Sequence, residues 1–292
     1  MTCLYCPRKC GADREIYVGY CGMGKLPVVA KACLHHWEEP CISGTGGSGT
    51  VFFSGCNLKC VFCQNYNISH DKFGREITVE KLADIFLMLQ KKGAHNINLV
   101  TPSHFVPQIR LALDYATGLS IPVVYNSNGY DSIDSLKIME GYVGIYLPDL
   151  KYFNPETAAK YSGAKDYFDI ASAAIKEMYR QTGAALLDKD GIMKRGVIIR
   201  HLILPGYSSE SVKLLDWLKA NMPEDIHISL MSQYTPYNNS CLPQEINRRI
   251  TAYEYDRVVG RFYKLGFKNG YIQDRESASE EYIPDFNLEG LE

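Results

Sequence analysis

Apolar positions recur along this chain in two alternating rhythms. Short, nearly continuous apolar runs predict strands at 50–55 ("TVFFSG"), 97–101 ("INLVT"), 121–126 ("IPVVYN"), 143–150 ("VGIYLPDL"), 196–205 ("GVIIRHLILP") and 226–234 ("IHISLMSQY"). Between them the spacing lengthens to that of amphipathic helices. "TVEKLADIFLMLQKKG" (78–93) puts Val79, Leu82, Ile85, Phe86 and Leu89 on one face and stops at Gly93. Further helices are predicted over 106–116, 132–140, 156–183, 208–221, where a serine supplies the cap, and 252–266. Strand and helix therefore alternate along most of the chain. The strands are apolar on both faces, as parallel strands covered by helices are, so the pattern predicts a parallel α/β sheet, open or curled into a partial barrel.

The ends read differently. Residues 1–48 are Cys-rich and loop-like, closing in a glycine run, "SGTGGSG" (43–49). Residues 271–292 are irregular and are expected to drape over the barrel. The expected organisation is a Cys-rich extension over 1–48, a barrel over 49–270 and a tail over 271–292.

Composition narrows the setting. With 292 residues, 46% of them hydrophobic, and a formal charge of −2, nothing argues for nucleic acid. No apolar stretch approaches the roughly 18 residues of a membrane span, and the first residues lack the apolar core of a signal peptide, so a cytoplasmic location is expected. Ten cysteines are many for a reducing compartment, where clustered thiols point to metal or redox chemistry. Seven fall in two groups: Cys3, Cys6, Cys10 and Cys21, then Cys56, Cys60 and Cys63. Cys33, Cys41 and Cys241 are scattered; Cys241 reads as a radical relay, a substrate contact or an inert thiol.

The second group lies in "SGCNLKCVFCQN" (54–65), directly after the first predicted strand. Three thiols on one short loop are compatible with structural zinc, an iron–sulfur cluster or chance. Structural zinc prefers four protein ligands, whereas three cysteines on a four-iron cluster leave one iron open, the mark of a catalytic site.

"CNLKCVFC", with Phe62 as its aromatic residue, resembles the C-x3-C-aromatic-C signature of radical S-adenosylmethionine (SAM) enzymes. The resemblance covers roughly residues 50–235. It implies a partial (β/α)6 barrel and a [4Fe–4S] cluster on Cys56, Cys60 and Cys63, its fourth iron chelated by SAM. It further implies reductive cleavage of SAM to a 5′-deoxyadenosyl radical for hydrogen abstraction, with an electron donor such as flavodoxin or ferredoxin. Within that superfamily, "CVFCQN" (60–65), "YNSNG" (125–129) and "DLK" (149–151) resemble proteins related to pyruvate formate-lyase activating enzymes. "WEEP" (37–40) and "GSGTVFFSGC" (47–56) resemble a subgroup of those homologues that also carries an N-terminal Cys cluster. The implied activity is hydrogen abstraction by that radical; the resemblance does not name the substrate, and a glycyl-radical-type protein is one candidate. Modification of a small molecule, or an iron–sulfur electron carrier or sensor without SAM chemistry, are the alternatives.

Polar residues at predicted strand ends complete the candidate site, because ligands bind at that rim in parallel α/β folds. Thr101, Pro102, Ser103 and His104 stand where the family usually carries a Gly-Gly-Glu-Pro-like segment, so a carboxylate is missing there; Ser103 is a candidate contact or a helix cap. Asn126 and Asn128 supply amides for a ribose or carboxylate, or serve turn chemistry. The resemblance implies that Asp149 and Lys151 contact SAM; the residue-level alternative is a surface ion pair. Arg200 and His201 are adjacent on a strand, so only one of them points into the barrel. Gln233 and Tyr234 are placed to border the adenine. Finally, Cys3, Cys6, Cys10 and Cys21 predict a metal-stapled knot holding zinc or an auxiliary iron–sulfur cluster, with unliganded thiols or a redox disulfide as the remaining readings.

Overall fold

The structure, a computed structural model, describes residues 2–236, 242–274 and 285–292. Its centre is one mixed sheet. The strands are β1 (Val28–His35), β2 (Ser48–Phe53), β3 (Arg75–Glu76), β4 (Ile97–Val100), β5 (Val123–Ser127), β6 (Ile145–Pro148), β7 (Leu186–Leu187), β8 (Met193–Leu202), β9 (His227–Met231) and β10 (Asn269–Ile272). They lie in the order β10-β9-β8-β6-β5-β4-β2-β1-β3, with β7 pairing on β8. From β2 to β10 every neighbouring pair is parallel, while β1, β3 and β7 pair antiparallel. The sheet is not closed, and the fold class is the expected α/β partial barrel.

Helices cover one face: α3 (Val79–Lys91), α4 (Val106–Tyr115), α5 (Ile133–Ile138), α6 (Pro155–Ser162), α7 (Tyr167–Thr182), α8 (Ser208–Asn221) and α9 (Ala252–Lys264). Two single-turn helices, α1 (Pro40–Ser43) and α2 (Tyr66–Ser69), precede them. The strand period of two sorts side chains between two cores. Val51, Phe53, Leu99, Tyr125, Tyr146 and Ile199 join the helix-facing core, whereas Val124, Ile145, Leu147 and Ile198 pack on the barrel interior with Cys41 and Ile42 of α1. Complete burial of β2, β4, β5 and β6 explains why they read as continuous apolar runs.

The structure corrects the sequence reading at several places. Residues 28–35, within the segment read as loop-like, form β1, an edge strand whose ladder to β2 runs from Val29↔Phe53 to His35↔Ser48. β10 adds a parallel strand beyond the six expected. The single helix predicted over 156–183 is two, because Gly163 ends α6 in the left-handed conformation (φ 62°). Ser208 is the first residue of α8 and not its cap, which is Tyr207. The described part of the tail runs along β1: the Ala32 amide donates to the Glu289 carbonyl at 2.8 Å and the Leu288 amide to that of Ala30 at 3.0 Å. Among the described residues no helix is long and apolar enough to cross a membrane.

Candidate active site

The thiol loop begins where β2 ends. Phe53 closes the strand, Ser54 is fully buried, and Gly55 turns the chain at φ 78°. Only glycine serves there, because a Cβ would lie 2.7 Å from the Cys21 carbonyl oxygen. Cys56, Cys60 and Cys63 then line one cavity of about 230 Å³ at the C-terminal ends of the strands. Each sulfur meets a polar partner. The Asn128 Nδ2 donates to Cys56 Sγ at 3.3 Å, as does the Leu58 amide at 3.4 Å. Ser162 Oγ lies 2.9 Å from Cys60 Sγ, and the Ser69 hydroxyl donates to Cys63 Sγ at 3.3 Å. Burial pushes the Cys56 thiol up to about 12 and that of Cys60 to about 11, so a cationic metal centre would be needed to make thiolates of them.

This donor set fits a [4Fe–4S] cluster. Among the described residues no three His, Cys, Asp or Glu side chains are gathered around one point as a single ion requires. A cubane instead takes each thiolate on a different iron, and it is stabilised by hydrogen bonds to sulfur of the kind seen on all three cysteines.

The polar strand ends form the opposite wall. Asn126, Asn128, Asp149, Lys151, Arg200 and Gln233 all line the same cavity. Asp149 sits between two cations, with Lys151 Nζ at 2.5 Å and Arg200 Nε at 2.9 Å. The alternative reading, a surface ion pair, fails: the three side chains are half-buried, 13–17% exposed. Burial alone would push the Asp149 carboxyl up, but the Arg200 and Lys151 charges outweigh it and hold it below the usual carboxylate range. Arg200 also donates to Asn126 Oδ1 at 2.6 Å and to Glu38 Oε2 at 3.3 Å. The guanidinium thus ties three strands to the loop after β1.

Two of the predicted residues lie elsewhere. His201 faces the helices, its Nδ1 2.6 Å from the Leu150 carbonyl oxygen and its Nε2 2.8 Å from Ser211 Oγ of α8. The strand alternation that brings Arg200 inward sends His201 outward. Ser103 is buried beside Asp131 and does not line the cavity; Thr101, two residues earlier and in the left-handed conformation (φ 62°), does. His104 is also buried, its Nε2 2.8 Å from the Ser54 carbonyl oxygen, and not an exposed cap residue. Tyr234 lines the cavity, its ring 5.8 Å from that of Phe62 and its hydroxyl bonded to the Ile246 carbonyl. Cys241 lies outside the described residues. Sequence reasoning passed over Ser69, Ser162 and Glu38, because isolated serines and a loop glutamate carry no periodic or spacing signal.

The N-terminal cysteines occupy one neighbourhood. A Cβ at Gly19 would stand 3.4 Å from Cys10 Sγ and 3.5 Å from Cys21 Sγ, and Cys6 lies close enough for Cys21, Cys3 and Cys10 to act on it electrostatically. Burial pushes the Cys6 thiol up to about 11. The segment is seated on the barrel rim: Arg8 Nε donates to the Asn57 carbonyl at 2.8 Å, and its guanidinium lies 4.4 Å from the Tyr20 ring and 5.1 Å from the Tyr130 ring.

The Radical SAM superfamily profile matches residues 50–218. An uncharacterized protein of Methanocaldococcus jannaschii, MJ0674, is 33% identical over 268 residues, covering 88% of this chain and 73% of its own. Among solved structures, Streptococcus suis SuiB bound to the precursor peptide SuiA has a TM-score of 0.53 at 13% identity, over 75% of this chain and 46% of SuiB. SuiB bound to S-adenosylmethionine gives 0.50 at 12% identity, over 75% and 48%. This chain spans about half the length of those solved structures, and at that identity they speak to the fold alone. The profile spans more than half of the chain and coincides with the thiol loop, the parallel strands and the polar rim: the chain belongs to the Radical SAM superfamily.

Proposed function

We propose that Cys56, Cys60 and Cys63 hold the [4Fe–4S] cluster and that Asn126, Asn128, Asp149, Lys151, Arg200 and Gln233 bind SAM beside it. The superfamily works with this cluster and with SAM, and the observation that carries the residue assignment is that thiols and rim share one cavity. Held by these three cysteines, the cluster would supply the electron for reductive cleavage of SAM. The chain's own residues do the rest. Asn128 and Ser69 donate to the Sγ atoms of Cys56 and Cys63, and Ser162, with the Tyr152 hydroxyl 2.6 Å away, would turn its proton toward Cys60 once that sulfur is a thiolate. Lys151 offers its ammonium to the SAM carboxylate, and Asp149 keeps it charged and in place. Thr101 brings backbone to the edge left by the absent family carboxylate.

The radical then abstracts hydrogen from a substrate, as an oxidoreductase of the activating-enzyme type acting on a glycyl-radical-type protein, or on a smaller molecule. Reduction is assigned to flavodoxin or ferredoxin. Cys3, Cys6, Cys10 and Cys21 are not gathered around one point either; drawn together by zinc or by an auxiliary cluster, they would staple the segment that carries Arg8 against the thiol loop. Metal analysis of anaerobically purified protein separates the two: about four irons with one zinc mark a structural site, and about eight irons an auxiliary cluster. Anaerobic reconstitution followed by electron paramagnetic resonance tests the main assignment. SAM should change the spectrum of the reduced cluster in the parent protein and produce no such signal in Cys56→Ala, Cys60→Ala or Cys63→Ala. A reduced cluster indifferent to SAM would instead favour the electron-carrier alternative.

A further inference from the structure

"WEEP" places two adjacent glutamates inside the barrel, where nothing described so far uses both. They line a second cavity, of about 220 Å³, that adjoins the first and shares seven lining residues with it, Asn126, Arg200, Met231 and Gln233 among them. The two glutamates differ in what satisfies them. Glu38 accepts from Asn98 Nδ2 at 2.9 Å, Asn126 Nδ2 at 3.2 Å and Arg200 at 3.3 Å. Glu39 is 8% exposed; Ser229 lies beside its carboxyl and the Arg200 charge reaches it, but among the described residues Oε2 has no hydrogen-bond partner. Nor does Glu39 serve as a cap: it occupies the N-cap position of α1 without a side-chain bond to the helix.

Charge and shape agree on what is missing. The carboxylates facing the joined cavities are Glu38, Glu39 and Asp149, and the cations are Arg200 and Lys151. Both cations are already engaged, Lys151 by Asp149 and Arg200 by Asp149 and Glu38. His35, also on the wall, adds no charge near neutral pH, because burial pushes it down to about 4. Trp37, Phe52 and Tyr271 supply aromatic faces to the cavity. A buried acceptor without a donor, among aromatic rings, is the surrounding that favours a cation carrying N–H groups.

We propose that this second cavity is the substrate site and that Glu39 selects a substrate bearing an ammonium or guanidinium group, pairing with it through Oε2. The inference rests on reading the adjoining cavity as the SAM site. A free amine and a Lys or Arg side chain of a peptide share this chemistry.

The test is calorimetric titration of the cluster-loaded protein with SAM present. The probes are Nα-acetyl-lysine amide against Nα-acetyl-norleucine amide, Nα-acetyl-arginine amide against Nα-acetyl-citrulline amide, and short N-acetylated peptides carrying the same four side chains. Each cationic member should bind at least ~10-fold more tightly than its neutral isostere, about 1.4 kcal/mol. Glu39→Gln should bring that ratio close to one. The preference appearing in the free amides assigns a metabolite, and in the peptides alone a protein substrate; either supports the inference. Equal binding of the isosteres, no binding by any cationic probe, or a preference that survives Glu39→Gln overturns it. The isostere comparison in the parent protein needs no variant, so it stands even if Glu39→Gln folds poorly. Electron paramagnetic resonance on the same samples keeps the two readings apart. If SAM leaves the parent's cluster unchanged, the SAM-site reading has failed; if SAM changes it and no cationic preference appears, only the substrate inference has.

Discussion

At the scale of single residues, the site is held by side chains that each satisfy two demands. Arg200 neutralises Asp149 and Glu38 together and fixes Asn126, all in a region with little access to water. Removing one member of a buried ionic network leaves the others uncompensated, so Arg200→Ala should cost about 3–5 kcal/mol in denaturant unfolding. A loss below about 1 kcal/mol would show that water already compensates these charges. Ser162 tunes rather than supports. Beside Cys60 Sγ, its hydroxyl would stabilise the more negative, reduced state of a cluster held there, so Ser162→Ala should lower the reduction potential on the order of tens of millivolts. Spectroelectrochemical titration of the reconstituted variant checks the sign, and an unchanged or raised potential would remove Ser162 from the site.

At the scale of elements, the site depends on how closely neighbouring strands end. Gly129 follows β5 at φ 78°, where a Cβ would lie 2.1 Å from the Asp149 carbonyl oxygen beyond β6. That oxygen and the Asn128 carbonyl both accept from the Tyr167 hydroxyl, at 2.9 and 2.8 Å. Gly129→Ala must therefore push the two strand ends apart. It should lower the thermal midpoint by several degrees, the equivalent of about 1–3 kcal/mol, and weaken SAM binding more than a surface Gly→Ala does, by calorimetry.

The same scale shows what was legible in the sequence. The parallel strands were readable because burial on both faces makes them continuous apolar runs, and the polar residues that interrupt those runs at their ends, Asn126, Asp149 and Arg200, stood out against them. β1 was not readable, since its buried positions fall in pairs and not on alternate residues, in a segment rich in cysteine and glycine; β10, parallel but not fully buried, was missed as well. Ser103 and His201 were plausible by position, and only the direction of the side chain excludes them from the cavity. The role of Glu38 was invisible, because its partners Asn98, Asn126 and Arg200 lie 60, 88 and 162 residues away along the chain.

At the scale of the whole molecule, the open sheet is filled from inside by the loop after β1 and by α1, and the N-terminal segment is fastened to the thiol loop at one corner of the rim. Long-range seating of this kind is sensitive to acid through buried histidines. Burial pushes His104 down to about 3 and His201 to about 4, whereas the unfolded chain binds those protons near 6.5. The folded-state values are depressed, so the stability they confer is present above about pH 6.5 and is lost as pH falls toward the folded values. Glu38 and Glu39 act in the opposite sense: burial raises them, and their contribution is present at low pH and lost as pH rises through their folded values. Comparing variants isolates one term. Between about pH 7.5 and pH 5, the parent should lose roughly 2 kcal/mol more unfolding free energy than His104→Gln. Identical losses would mean that His104 takes up its proton in the folded state as readily as in the unfolded one.

All of this converges on whether the thiol loop and the polar rim cooperate on one cofactor. The most direct measurement is 5′-deoxyadenosine formed from SAM by anaerobically reconstituted, chemically reduced protein, compared with Cys60→Ala and Lys151→Ala. The parent should form the nucleoside together with methionine. Cys60→Ala should form none, and Lys151→Ala should require a higher SAM concentration. A fully reconstituted and reduced parent protein that leaves SAM intact, or a Cys60→Ala variant that cleaves it as well as the parent, would contradict the account.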